Sequence, residues 1–291
     1  MFARSTACRH GLGRTSAKAG STPLRIELVD PAHPPLFGKL YAATHLRSDR
    51  WYKLGRTLLY GRLEDESTFS TVRRLVQYED YLLRIMRNAG IPTAEPYGFA
   101  EITPEREYVI VTEFFEGAAE ISGIQVDEAI IDDALGVVRC LWESGLAHRD
   151  IKPANLLVRD GKVLLIDVAF AEVRPSPWRQ AVDLANMMLV LALQSDPETV
   201  YERALLRFTP DEIAEAFAAT RGLTLTSQLR AQLRQDGRDL IARFRALAPD
   251  REPIKIQRWS VRRVGLTGAV LIGGLIAFAL TISLFAQVSL L

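Results

Sequence analysis

Apolar and polar positions recur with two different periods along this chain, and the change of period divides it. LRIELV (24–29) and LFGKLY (36–41) are short apolar-rich runs on either side of DPAHPP (30–35). Asp and Pro favour a turn there and paired prolines cannot continue a strand, so two strands are expected. In STVRRLVQYEDYLLRIMRNAG (70–90) the residues Val72, Leu75, Tyr78, Leu82, Leu83 and Met86 fall at helical spacing, and Gly90 stands where a helix cap belongs. PYGFAEI (96–102) and EYVIVTEF (107–114), joined by TPER, predict a hairpin whose second, almost continuously apolar strand is buried. A helix is predicted over 126–145, with Ile130, Leu135, Val138, Leu141 and Trp142 inward and Gly145 ending it. NLLVRDGKVLLID (155–167) predicts a second hairpin, turning at Asp160-Gly161. From Gln180 onward the period is helical; Pro197 and Pro210 open new helices, and Thr209-Pro210-Asp211-Glu212 is a capping signature. A strand-rich half with one helix thus precedes a larger helical half, an α+β arrangement without internal repeats.

The C-terminal stretch departs from this pattern. No charged side chain occurs from Val264 to Leu291, and roughly 20 apolar residues cross a bilayer core. A transmembrane helix over 264–288 is therefore expected, behind a juxtamembrane linker at 248–263. Arg258, Arg262 and Arg263 precede it. By the positive-inside rule this predicts a single-pass protein of the cell membrane with the rest of the chain cytoplasmic. Gly265, Ala269, Gly273 and Ala277 recur every four residues and predict packing against another transmembrane helix, its own copy in a homodimer or a partner's. At the other end, residues 1–23 hold Arg4, Arg9, Arg14 and Lys18 without an acid or an apolar signal core, which reads as a flexible basic tail.

Composition narrows the classes. Of 291 residues, 48% are apolar and 24% charged, as in a folded globular chain, and the net charge of +1 gives no electrostatic footprint for nucleic acid. Cys8 and Cys140 are too few for a disulfide framework, so a reducing compartment is expected.

The chemistry concentrates in AHRDIKPANLLV (147–158), followed by VLLIDVAF (163–170). His148, Arg149, Asp150, Lys152 and Asn155, with Asp167 at the end of the next apolar strand, resemble the catalytic loop of protein kinases, H-R-D-x-x-x-x-N, and the metal-binding aspartate beyond it. The resemblance covers about residues 24–245. It implies a two-lobed protein-kinase-like fold, with a small β-rich N-lobe (24–117) and a helical C-lobe (118–247). It also implies ATP and Mg²⁺ as cofactors. Phosphoryl transfer needs positioning and charge neutralisation more than covalent chemistry. Asp150 can accept the proton of the attacking hydroxyl, and Lys152 can set its ammonium against the γ-phosphate. Asn155 and Asp167 lie on the two arms of one hairpin, so their oxygens can converge on the metal.

The resemblance also implies a nucleotide-binding set. Glu79, inside the predicted helix, corresponds to the glutamate that pairs with the phosphate-holding lysine. Lys39, in the apolar run FGKLY, is the choice for that lysine; Lys53, in WYKLGR without strand alternation, is the rival. Lys39 precedes Glu79 by 40 residues, which makes 42–70 an insertion. Thr112-Glu113-Phe114-Phe115 looks like the gatekeeper and hinge, with the backbone of Glu113 and Phe115 facing adenine. Gly11, Gly13 and Gly20 could belong to a flexible loop over the nucleotide.

Three departures direct the resemblance toward the atypical branches, RIO kinases and bacterial lipopolysaccharide (Kdo) kinases. D-F-G reads Asp167-Val168-Ala169, which predicts less switching of this segment. No A-P-E follows. Asp183, which resembles the aspartate that buttresses the catalytic loop, comes only 16 residues after Asp167, with Ser176 as the single hydroxyl residue between them. Activation by phosphorylation is accordingly not expected. The reading is a membrane-anchored ATP-dependent phosphotransferase acting on a hydroxyl acceptor, either protein Ser/Thr or a membrane-associated lipid or sugar. The alternative is a nucleotide-binding pseudokinase or ATPase switch that regulates a membrane partner.

Overall fold

The computed structural model describes residues 4–6, 21–30, 33–42, 71–103, 107–220, 224–252 and 261–288. They fall into two units, Met1–Asp49 with Ser67–Ile254, and Arg50–Glu66 with Lys255–Leu291. The expectations for Gly11, Gly13 and Gly20, for Lys53 and the insertion beyond residue 42, for the turn at 104–106 and for Arg258 lie outside the described residues.

The first unit begins with an antiparallel sheet. Its strands are β1 (Arg4–Thr6), β2 (Thr22–Glu27), β3 (Leu36–Tyr41), β4 (Pro96–Thr103) and β5 (Glu107–Glu113). They lie in the order β1-β2-β3-β5-β4. β1 arises within the stretch expected to be a tail and pairs Arg4 with Glu27. The apolar run at the centre of β5 (Tyr108, Val109, Ile110) is buried, as its composition predicts for a strand covered on both faces. On β3 the two-residue period sends Lys39 and Tyr41 to one face and Gly38 to the other. Gly38 has no room for a side chain, because a Cβ would come 2.8 Å from Ile26 Cδ1 on the neighbouring strand.

Helix α1 (Val72–Asn88) crosses between β3 and β4 in sequence. Thr71 caps it by accepting the Arg74 N–H (3.3 Å), and Gly90 beyond its end takes φ 79°, a value open to glycine. The inward face carries Val72, Val76, Leu82, Leu83 and Met86, and among them one acid, Glu79. Burying an aliphatic side chain of this size contributes about 1.5–3 kcal/mol, so this stripe fixes the rotation of α1 and with it the direction of Glu79.

The helical part follows β6 (Ala119–Glu120). Helix α2 (Glu128–Glu143) starts at Asp127, whose carboxylate accepts the Ile130 N–H (2.9 Å). Ile130, Leu135, Val138 and Leu141 are buried as the periodicity predicts, Ile131, Ala134 and Val137 are buried beside them, and Trp142 is half-buried and donates its Nε1–H to Gln180 O (3.0 Å). Next come β7 (Leu146–Ala147), the hairpin β8 (Leu156–Arg159) and β9 (Lys162–Leu165), and β10 (Glu172–Val173). β6 joins β8 and β9 in one small sheet, and β7 pairs with β10 in a ribbon. The hairpin turns at Asp160 and Gly161, whose φ values of 52° and 72° are the pair a two-residue type I′ turn requires. Helices α3 (Pro177–Gln194), α4 (Pro197–Ala204), α5 (Pro210–Ala219), α6 (Ser227–Asp236) and α7 (Leu240–Leu247) complete the unit. α3 is buried at every position from Ala181 to Ala192. Thr209 and Glu212 form the predicted capping box, and Phe217 of α5 stacks on Phe244 of α7 with centroids 4.7 Å apart.

The second unit contains α8 (Val261–Val288). Here the expectation of a transmembrane helix is corrected: among the described residues, no helix is long and apolar enough to cross a membrane. The single-pass localisation in the cell membrane, which rested on that span, is corrected with it. An uncharged stretch of sequence is a necessary condition for a span and not a sufficient one.

Candidate functional site

Two charged clusters form where the sheet meets the helical part. The first is built on Lys39. Its Nζ donates to Glu79 Oε1 at 2.6 Å and to Asp167 Oδ1 at 2.7 Å. The other carboxylate oxygen of Glu79 accepts the Tyr41 hydroxyl at 2.5 Å. Strand β3 supplies Lys39 and Tyr41, α1 supplies Glu79, and Asp167 follows β9. Asp167 sits in the left-handed region (φ 60°), which turns the chain sharply at this residue. Burial opposes the charge on the Lys39 ammonium, but Glu79 and Asp167 outweigh it and hold the pKa well above the ordinary lysine value. Burial likewise opposes ionisation of Asp167, and Lys39 and Lys152 more than offset it, so its carboxyl stays below the usual range.

The second cluster is the 148–155 loop. Lys152 Nζ donates to Asp150 Oδ2 at 2.5 Å. The Asn155 amide donates to Asp150 O (2.8 Å) and to its Oδ2 (3.0 Å). Burial raises the Asp150 pKa, with Lys152 acting in the opposite direction. The loop is held from beneath by Asp183, whose carboxylate accepts the backbone N–H groups of His148 (2.5 Å) and Arg149 (2.9 Å). Burial pushes the Asp183 carboxyl up to about 7, against those donors. Arg149 takes φ 67° and reaches across the β7–β10 ribbon to Glu172 Oε2 at 3.0 Å. The hairpin closes as Ile166 N–H donates to Asn155 O at 3.0 Å.

His148 is wholly buried and its Nε2–H donates to Ile166 O at 3.1 Å. Burial lowers its pKa to about 4. At His148 the native state therefore binds fewer protons than the unfolded chain between about pH 6.5 and 4, so this residue's contribution to stability falls as pH drops through that window, while the raised Asp183 carboxyl acts in the opposite direction. The loss amounts to about 3 kcal/mol at 1.36 kcal/mol per pKa unit. Asp183 titrates in both proteins, so the His148 contribution is read as a difference: with urea midpoints measured across pH 4–7, wild-type stability relative to His148→Gln should decline as pH falls. Equal slopes in the two proteins would refute a neutral buried His148.

Glu113 and Phe115 stand apart from both clusters, at the far end of β5. Leu36 pairs with Glu113, and Lys39 lies three residues farther along β3, about 10 Å away at strand rise. Glu113 N–H donates to Glu95 O (2.9 Å), and its carbonyl accepts a long bond from the Thr112 hydroxyl (3.4 Å). Arg159 pairs with the Glu113 carboxylate at 3.6 Å and lies 5.2 Å from the Phe115 ring centroid. Arg25 sits 4.9 Å from that of Phe114.

Of the residues expected from the sequence, the structure brings Lys39, Glu79 and Asp167 together, and Asp150, Lys152 and Asn155 together. The field of Lys152 at Asp167 links the two groups. Sequence reasoning missed Tyr41, Glu172 and Arg159. Tyr41 carried a faint signal, its two-residue offset from Lys39; Glu172 and Arg159 carried none, since their partners are distant in the chain.

No family model matches the chain. It is 27% identical over 164 residues to the KEOPS complex subunit Bud32 of Pyrococcus abyssi, covering 54% of this chain and 69% of that protein. It is 25% identical over 158 residues to serine/threonine-protein kinase D of Synechocystis, covering 52% of this chain and 30% of that protein. It is also 25% identical over 126 residues to the RIO-type serine/threonine-protein kinase Rio1 of Thermoplasma acidophilum, covering 41% of this chain and 66% of that protein. Two of these relatives are kinases by name, and the chain, similar to them and carrying the 148–155 loop, is a protein-kinase-like enzyme.

Proposed function

We propose that the chain transfers the γ-phosphate of Mg²⁺-ATP to a Ser or Thr hydroxyl of a protein. The observation that carries this reading is the Lys39 ammonium bridging Glu79 and Asp167. One cation between two carboxylates leaves this cluster with a net negative charge, a suitable place for a further cation. The names of two relatives, both serine/threonine-protein kinases, support the acceptor class.

The donors fit magnesium. Asp167 and Asn155 offer hard oxygens, and the Asn155 amide nitrogen is committed to Asp150, which leaves its carbonyl oxygen for other partners. Magnesium keeps waters and phosphate oxygens in its shell and needs few protein ligands. When bound, it neutralises charge between the phosphates. Lys39, steered by Glu79, holds the phosphates that are not transferred. Lys152 offsets charge on the one that is. Asp150 takes the proton of the acceptor hydroxyl; burial lifts its pKa toward that task. Backbone groups of Glu113 and Phe115 orient the base.

The test is incubation of the full chain with γ-labelled ATP and Mg²⁺, in separate arms with cellular protein, lipid extract and no acceptor. Label at Ser or Thr of protein is the expected result. Label in the lipid fraction would move the acceptor to a lipid or sugar hydroxyl. Label released only as free phosphate would replace transfer by hydrolysis, and no turnover would leave a nucleotide-binding switch.

A further inference from the structure

We infer that Tyr41 is a positioning residue for Lys39, acting through Glu79. Its hydroxyl holds one carboxylate oxygen so that the other stays turned to the ammonium. Both Tyr41 and Glu79 are 3% exposed. An ionised carboxylate so deeply buried needs hydrogen bonds at both oxygens. Here one comes from Lys39 and the other from Tyr41. The arrangement is built into two elements: Tyr41 follows Lys39 by two residues and shares its face of β3, and the apolar stripe of α1 aims Glu79 at both.

The consequence concerns direction. Lys39 has two carboxylate partners, Glu79 and Asp167. When Asp167 turns its oxygens to a metal, Glu79 is the one left to orient the ammonium. A carboxylate held at a single oxygen can rotate about its last torsion, which is broad and two-fold. With Tyr41 bonded to the second oxygen that rotation is blocked. Burial keeps the Tyr41 hydroxyl protonated far above its ordinary range, so it remains a donor. The ring centroid lies 5.8 Å from Lys39 Nζ, and Tyr41→Phe keeps that ring while removing the hydroxyl.

Only the effect on nucleotide rests on the phosphotransferase reading; the anchoring itself is measurable without ligand. Lysines of the apo protein are labelled with an amine-directed reagent, and the rate at each site is followed by mass spectrometry. In Tyr41→Phe, Lys39 should label about tenfold faster, as expected for loss of a hydrogen bond to a charged group, while Lys152 and Lys162 keep their wild-type rates. In a Glu79→Ala background the same substitution should change nothing further at Lys39. With Mg²⁺-ATP, KM should rise several-fold and kcat stay near wild type, because the lost contact serves ground state and transition state alike.

An unchanged rate at Lys39 would overturn the inference. So would a rise at all three lysines, which signals general loosening, or a rise that persists without Glu79. Selective exposure of Lys39 with unaltered nucleotide affinity would overturn the positioning role. If the wild type binds no Mg²⁺-ATP while Lys39 responds selectively, the phosphotransferase reading falls and the anchoring stands.

Discussion

Asp150→Asn should lower phosphoryl transfer by about 10²–10⁴-fold, the usual worth of a general base, and leave Mg²⁺-ATP affinity within about twofold. The substitution keeps the shape of the side chain and one oxygen acceptor for Lys152 and Asn155, so the loop has little reason to move. It removes the group that would take the acceptor proton. Because Asp150 faces the acceptor in the proposed mechanism and not the nucleotide, the loss belongs in kcat. Single-turnover measurement at saturating Mg²⁺-ATP, paired with equilibrium nucleotide binding, separates the two quantities. Wild-type turnover in the variant would place the base elsewhere, and lost nucleotide affinity would show that Asp150 acts in binding.

Asp167→Ala is expected to abolish the stabilisation conferred by Mg²⁺-ATP. At a ligand concentration of 100 Kd, mass action raises wild-type stability by about 2.7 kcal/mol, a shift of a few degrees in melting temperature for a chain of this size. In the variant, Lys39 retains Glu79 as a partner at 2.6 Å, so the apo protein should remain folded. What disappears is the carboxylate whose pKa the neighbouring ammonium groups hold down, and with it the charge that would attract the metal. ATP with EDTA should shift neither protein. An undiminished Mg²⁺-ATP shift in Asp167→Ala would remove Asp167 from the metal site.

Those two aspartates were legible in the sequence because their surroundings are local. The 148–155 loop and the Asp160-Gly161 turn lie within a few residues of one another, and an apolar strand must carry Asp167 back beside Asn155. The helix holding Glu79 was legible through its stripe, and Lys39 through the oddity of a lysine in an apolar strand. Tyr41 was not legible as a partner of Glu79, since that contact depends on how a strand and a helix 38 residues apart are docked. The Arg149–Glu172 pair required the β7–β10 ribbon, two strands of two residues each, too short to carry a period. The stacking of Arg25 and Arg159 on the phenylalanines after β5 depends in the same way on strand pairing. The reading of a membrane span failed for the opposite reason: absence of charge was taken as evidence of location, although it only permits one.

The bond from Lys39 to Asp167 joins residues 128 apart in the chain. Closing so long a loop is entropically unfavourable until other contacts have drawn its ends together. Those contacts are visible: Leu165 N–H donates to Pro92 O at 2.8 Å, and the Thr93 hydroxyl to Leu165 O at 2.6 Å. The strand before Asp167 is thereby fastened to the segment after α1, with no ionic group involved. The two sides of the charged junction are thus tied to each other by uncharged bonds as well as by the ion pair, and either part alone lacks one side of it. Lys39, Glu79 and Asp167 come from three separate stretches of the chain, so the set exists only once all three have been brought together.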